Sequence, residues 1–159
     1  TNNTTVALNS TPNCKYLIVD SGSSIVATSS SFITILGGGN AIINGSISGA
    51  RSQGIFTTDA ANKGTIYGVD LNTPLTLGAN STIIYNRTSA QTISPLNYAN
   101  LKVSITGTGS LSASASLSGT LTVDAGATFN TGGFLTLKSD ANGTARVAQV
   151  LGTISGNVP

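Results

Sequence analysis

A nine-residue passage occurs three times in this chain, and no other feature constrains the fold as tightly. Leu121-Thr122-Val123-Asp124-Ala125-Gly126-Ala127-Thr128-Phe129 is matched in residue class by Leu17-Ile18-Val19-Asp20-Ser21-Gly22-Ser23-Ser24-Ile25, except at Ile18. Leu75-Thr76-Leu77-Gly78-Ala79-Asn80-Ser81-Thr82-Ile83 matches it with Asn80 in the glycine's place. Each copy alternates apolar and small polar residues, turns over three small residues, and alternates again. Period-two alternation sends successive side chains to opposite faces of a strand. Short corners of small residues make the strands short as well. Asn80 fits this scheme because Asn, after Gly, best tolerates a left-handed backbone.

The first and last copies also share their continuation, Phe32-Ile33-Thr34-Ile35 corresponding to Phe134-Leu135-Thr136-Leu137. The copies begin 58 and then 46 residues apart. Read as whole multiples of about 20 residues, these intervals are the period of a solenoid built from one supersecondary unit per coil. The expected fold is an all-β parallel β-helix, or β-solenoid, of short strands with about 20 residues per coil and roughly eight coils. Stacked at the usual strand spacing, it makes a rod roughly 35 to 40 Å long. Leu17, Leu75 and Leu121 are expected on equivalent rungs, with hydrocarbon inward and Ser, Thr and Asn outward. Gly37-Gly38-Gly39-Asn40 reads as a sharp corner; no Lys-Ser/Thr follows it, as a phosphate-cradling loop requires.

No linker, charge block or composition shift divides the chain, so residues 1–159 are read as a single β-solenoid domain. Thr1-Asn2-Asn3 and Asn157-Val158-Pro159 read as the ends of a fragment of a longer surface protein. Charged residues make up 8% against 39% hydrophobic ones, a balance unlike that of disordered chains. Glu and Met are absent and Ala follows no 3.6-residue rhythm, which disfavours helices. The seven cations, Lys15, Arg51, Lys63, Arg87, Lys102, Lys138 and Arg146, are dispersed along the sequence. No phosphate-neutralising patch is visible, so no nucleic-acid partner is expected. No apolar run has the length of a membrane span, so no membrane insertion is expected either.

The chemistry-bearing residues are few. With no histidine, the usual general base and the commonest metal ligand are missing. The carboxylates are Asp20, Asp59, Asp70, Asp124 and Asp140. Asp20 and Asp124 hold the same corner position in two copies and read as turn residues. Asp59 and Asp70 on neighbouring coils are the one pairing that would suit glycoside cleavage. Asp140-Ala141-Asn142-Gly143 resembles part of a calcium loop but lacks the further carboxylates that loop needs. The site inventory read from the sequence is therefore empty: no catalytic, cofactor-binding or metal-binding residue, and no cofactor. Cys14, the lone cysteine, reads as a small buried hydrophobe or as a reactive thiol.

Two binding readings remain. Tyr67, Tyr85 and Tyr98 could present a strip for stacking on sugar rings, although Tyr85 shares its parity with inward Ile83. An ice-binding array needs paired outward Thr residues on coil after coil, whereas Thr76, Thr122 and Thr136 stand singly. Residues 48–63 are the least regular stretch, holding Arg51, Asp59 and Lys63, and read as a loop projecting from one coil. Such loops commonly carry recognition in solenoids.

Gly119-Thr120 through Phe129-Asn130-Thr131-Gly132-Gly133 and on to Leu135-Thr136-Leu137-Lys138-Ser139-Asp140 resembles the Ser/Thr/Gly-rich β-solenoid regions of large bacterial adhesins. Gly143-Thr144-Ala145-Arg146-Val147 and Gly152-Thr153-Ile154-Ser155-Gly156-Asn157-Val158 are similar to stretches of very long surface proteins exported by the type IX system of gliding Bacteroidota. The resemblance covers residues 80–158 and implies a secreted, bacterial cell-surface location. It implies a non-enzymatic stalk or spacer with a binding face, continuous with flanking domains of a longer chain and directed at surface glycans or other cell-surface proteins. The alternative is a carbohydrate-binding module of a secreted polysaccharide-degrading protein.

Overall fold

The computed structural model describes residues 3–70, 74–140 and 143–157. The chain winds as a three-faced parallel solenoid. The first coil holds β1 (Thr5–Leu8) and β2 (Asn13–Val19), and the second holds β3 (Ser24–Ala27) and β4 (Ile33–Ile43). The third is the longest, with β5 (Ser46–Gly49), β6 (Phe56–Thr57), β7 (Ile66–Gly68) and β8 (Leu75–Leu77). Three strands make the fourth coil, β9 (Thr82–Tyr85), β10 (Gln91–Ile93) and β11 (Asn97–Tyr98), and three the fifth, β12 (Asn100–Val103), β13 (Thr108–Leu111) and β14 (Ala115–Leu117). The sixth holds β15 (Thr120–Val123), β16 (Thr128–Asn130) and β17 (Leu135–Leu137). A small antiparallel hairpin, β18 (Ser139–Asp140) and β19 (Gly143–Thr144), leads into β20 (Arg146–Val147) and β21 (Thr153–Ser155) of the last coil.

One face is a single seven-stranded parallel sheet, β1-β3-β5-β9-β12-β15-β20. Its inward column runs Val6, Ile25, Ile47, Ile83, Leu101, Leu121, Val147 in unbroken register. The second face carries β10-β13-β16-β21, and the third β11-β14-β17. In the first three coils these two faces are served by one sheet, because β2 and β4 each bend across the corner between them. Cys14 pairs with Ile35 but Tyr16 pairs with Asn40, so the bend is a bulge in register. Gly39 sits at this bend, where a β-carbon would stand 1.9 Å from the Lys15 carbonyl oxygen. The expected corner at Gly37–Asn40 is therefore present, and its glycine serves close backbone approach.

The all-β solenoid stands as the sequence implied, with three differences. The first-face sheet has seven rungs, where about eight were expected. The offset from rung to rung is 18 to 22 residues, except for 36 between Ile47 and Ile83 and 26 between Leu121 and Val147. Those two long intervals hold the irregular stretch after β5 and the hairpin before β20.

The three motif copies are also not equivalent rungs. Leu17 and Leu75 share one column on the third face, both paired with Ala41, but Leu121 lies on the first face. The shift is consistent. Copy one runs from the third face to the first and continues at Ile33 on the second; copy three runs from first to second and continues at Leu135 on the third. The repeating unit is thus a strand plus a corner, about one third of a coil. An interval of 46 residues is two coils and a third, not a whole multiple.

The corners share a hydrogen bond but not a backbone. Ser23 N donates to Asp20 O at 3.0 Å, Ser81 N to Gly78 O at 2.9 Å, and Ala127 N to Asp124 O at 3.1 Å. Gly22 and Gly126 have φ of 83° and 80°, as a type II turn requires. Asn80 does not follow them, because among the described residues no non-glycine has positive φ. That corner closes in the manner of a type I turn.

The core is one cluster running from Leu8 to Leu135 along the axis. At two places a glycine makes room for an aromatic ring on the neighbouring rung. Gly49 lies opposite Tyr85, and Gly109 lies opposite Phe129. Burying each Leu, Ile or Phe contributes roughly 1.5–3 kcal/mol. Exposed apolar side chains include Val6, Tyr16 and Ile18 in the first coil and Val147, Val150 and Leu151 in the last. Ile18, the one mismatch in its motif copy, points outward. Thr1-Asn2 and Val158-Pro159 lie outside the described residues.

Candidate functional site

The corner between the first and second faces is made by residues 28–32 in the second coil and 86–90 in the fourth. In the third coil the same corner takes residues 50–65, the stretch marked out in the sequence by its irregularity. It folds back on itself. β6 pairs in parallel with β7, Phe56 opposite Ile66 and Thr57 opposite Tyr67. Gly64 N donates to Thr57 Oγ at 2.8 Å, and Thr65 N to Gly54 O at 3.0 Å. Ile55 drops into the core with no exposed surface. At the tip, Asp59 accepts from Ala61 N at 2.8 Å and from Asn62 Nδ2 at 2.7 Å. These bonds, the one from Asn62 foremost, hold its carboxyl below the usual carboxylate range.

The insertion is wedged between coils. Thr92 N donates to Ser52 O at 2.8 Å, and Ser94 Oγ accepts from Ile55 N and Phe56 N at 3.1 Å each. Gln91, buried and inward, donates from Nε2 to Gly49 O at 2.8 Å and to Arg51 O at 2.9 Å. The second face therefore holds an extra half-rung between β7 and β10, and the sheets of the first three coils and the last four stay separate there. On the third face β8 and β11 do not pair. Only the first face passes through unbroken.

Arg51, Lys63 and Arg87, dispersed in sequence, meet at this corner. Arg51 Nε donates to Lys63 O at 2.5 Å, and its Nη1 to Ser30 O at 3.2 Å and Ser29 O at 3.4 Å. Arg87 Nη1 donates to Ala50 O at 3.0 Å and its Nε to Ser89 Oγ at 2.7 Å. The Arg51 guanidinium lies 5.0 Å from the Phe32 ring centre, and the Lys63 ammonium lies 4.9 Å from the same ring and 4.8 Å from that of Tyr67. Partial burial, and then the neighbouring Arg87 charge, lower the pKa of Arg51. The one ion pair among the described residues is elsewhere, Lys102 to Asp124 at 3.0 Å. Beside the cations, Ser52, Gln53, Thr57, Asp59, Asn62 and Thr92 line a polar groove of about 480 Å³.

The other candidate residues fall apart as a site. Tyr67, Tyr85 and Tyr98 form no exposed strip; all three are buried. Ser94 N donates to the Tyr85 hydroxyl at 2.9 Å, the Tyr98 hydroxyl donates to Ser94 O, and the two hydroxyls are 2.8 Å apart. With the Tyr98 proton committed to Ser94 O, Tyr85 donates to Tyr98. Burial raises the pKa of both phenols. Asp20 and Asp124 are corner residues; the Asp124 carboxylate also accepts from Ser104 Oγ at 2.7 Å. The Asp59 carboxylate is engaged within its own turn, and Asp70 is exposed after β7. Cys14 is half-buried against the core, and burial raises its thiol pKa. Ala141, Asn142 and the Asp140 side chain, in the calcium-like stretch, lie outside the described residues. No three Cys or Asp residues gather as a metal set among the described residues.

Sequence reasoning found the insertion but missed Gln91, Ser94 and Arg87. Their partners lie about 40 residues away, across a coil boundary that no local pattern marks. An inward Gln at a position of apolar parity was the only signal.

No family model, no curated protein and no solved structure matches the chain. The described residues form a β-solenoid whose most elaborated corner is the 50–65 insertion.

Proposed function

We propose that this chain is a non-enzymatic structural and adhesive segment of a secreted bacterial cell-surface protein, a stalk or spacer whose binding face is the 50–65 corner. The observation that carries the reading is the division of labour between faces. One parallel sheet runs through all seven coils, which suits a stiff spacer built from stacked coils. Three of the seven cations gather instead at the 50–65 insertion and the corner beside it, without a carboxylate partner among the described residues. Flanking coils or domains of a longer chain would continue the column at either end, where apolar side chains are exposed. The carbohydrate-module reading rested on an aromatic strip, and that strip is in the core.

The test is adhesion. Beads coated with the chain should attach to glycan-coated surfaces, and replacing residues 56–63 by a short Gly-Ser turn should abolish attachment while the melting transition remains. Attachment unchanged by that replacement would remove the binding face from this corner. Release of reducing ends from a polysaccharide by the purified chain would overturn the non-enzymatic assignment.

A further inference from the structure

We infer that the Arg51–Lys63–Arg87 corner, with its adjoining groove, binds an acidic polysaccharide through its carboxylate or sulfate groups. The inference rests on the adhesive reading and names the ligand class of that same corner. Three of the chain's seven cations come together on two successive coils, Arg51 and Lys63 on the third and Arg87 on the fourth, and none has a carboxylate partner within ion-pairing distance among the described residues. Two of them also have structural duties, since Arg51 and Arg87 hold backbone carbonyls of Ser30, Lys63 and Ala50. Lys63 has none; its ammonium touches only the Phe32 and Tyr67 rings. Unpaired cations held close together repel one another, and an anion between them removes that cost. Arg51 and Arg87 bond through Nε and Nη1 and keep their Nη2 donors without a bond among the described residues, and a guanidinium edge of that kind matches a carboxylate or sulfate.

The groove decides between polyanions. The cations do not line the groove themselves, but Ser52 and Gln53 follow Arg51 directly in sequence and Asn62 precedes Lys63, so hydroxyl and amide groups begin within two residues of them. Such a lining suits the hydroxyls of a sugar chain whose acidic group rests at the corner. Asp59 lies in the same lining and repels any anionic group placed there, so the groove takes sugar hydroxyls and the acidic group is left to the cations at the corner. Three cations are also few for nucleic acid, whose binders commonly make about 6–10 phosphate contacts.

Binding of the full chain to polygalacturonate, dextran sulfate, neutral dextran and duplex DNA, measured by titration calorimetry at low and physiological salt, tests this. One or both of the acidic polysaccharides should bind, the comparison separating carboxylate from sulfate, and affinity should fall with salt. Lys63→Gln breaks no backbone contact and should weaken binding about tenfold, as should Arg87→Gln, while Lys138→Gln should not. Lys63→Gln binding as tightly as the parent overturns the inference, and so does neutral dextran binding as well as the acidic polymers. Tighter binding of DNA overturns it too. If bead adhesion survives while both acidic polymers fail to bind, the adhesive reading stands and the charge assignment falls.

Discussion

The fourth to sixth coils and the third coil share the first-face sheet but use their corners differently. From Thr82 to Leu137 each coil has three short strands and corners of a few residues, and side chains stack on their own kind: Ile83 on Leu101 on Leu121, Ala115 on Leu135, Leu117 on Leu137. The third coil keeps its first-face strand and gives up the rest of that regularity. Its insertion is held by Gln91, Ser94 and Arg87 of the next coil more than by its own strand pairing. Regular coils earn stability from apolar columns, whereas the insertion depends on polar bonds across a coil boundary. An insertion held in that way can vary in sequence without disturbing the spine.

The largest expected effect lies in the regular half. Phe129 is fully buried on the second face opposite Gly109, where a β-carbon would already meet Ile105 Cδ1 at 2.6 Å. Phe129→Ala leaves a cavity that backbone on both sides prevents from collapsing, and should cost about 3–5 kcal/mol. Urea unfolding followed by circular dichroism should show the midpoint fall with little change in slope. A loss below about 1 kcal/mol would mean that the column is not what holds these coils together.

Next in size is the joint between the two regions. Ser94→Ala removes the acceptor for Ile55 N and Phe56 N, one of them in the core. Leaving such donors unpaired costs about 1–3 kcal/mol. The loss should be local, so hydrogen exchange at Ile55 and Phe56 should rise far more than at Leu101 or Leu121. Equal acceleration in both places would show that the insertion and the spine unfold as one unit.

A smaller effect of opposite sign is expected at Thr65, which closes the insertion. Its hydroxyl is buried without a partner among the described residues. Thr65→Val keeps the shape and removes a desolvated polar group, so it should stabilise by about 1 kcal/mol. A raised melting temperature checks this; a lowered one means the hydroxyl has an acceptor.

What the sequence disclosed follows from how local the information is. Alternation and the Asp20 and Asp124 corners fixed strand character, parity and turn bonds, because each depends on residues within four positions. Parity alone placed Tyr85 inward. Which face a strand occupies depends on counting corners, so Leu121 was assigned to the wrong column although its passage was read correctly. The backbone of the Asn80 corner was misjudged because a type I turn closes without a left-handed residue. Of the candidate site, Arg51 and Lys63 were legible as members of an irregular stretch. Their meeting with Arg87 and Phe32 was not, since stacking order across an insertion leaves no trace in spacing.

The smallest effect sharpens the contrast from the electrostatic side. Asp124, in the regular half, has the partners the insertion's cations lack: Ser104 Oγ at 2.7 Å and Lys102 Nζ at 3.0 Å. The Ser104 bond foremost, with Lys102 adding to it, holds its carboxyl below the usual carboxylate range. A folded-state pKa below the unfolded value contributes stability at pH above the unfolded pKa of about 4, and that stability is lost as pH falls through the folded pKa. The two side chains are 40% and 35% exposed, so screening limits the contribution to about 0.5 kcal/mol. Asp124→Asn should therefore lower the urea midpoint slightly at neutral pH, and the difference from the parent should shrink as the pH falls through the folded-state pKa of the parent carboxyl. Asp59→Asn should show no such slope in Leu101 exchange, because its bonds close only the tip of the insertion. A matching loss there would mean that the insertion's charges, like those of the regular coils, contribute to holding the spine.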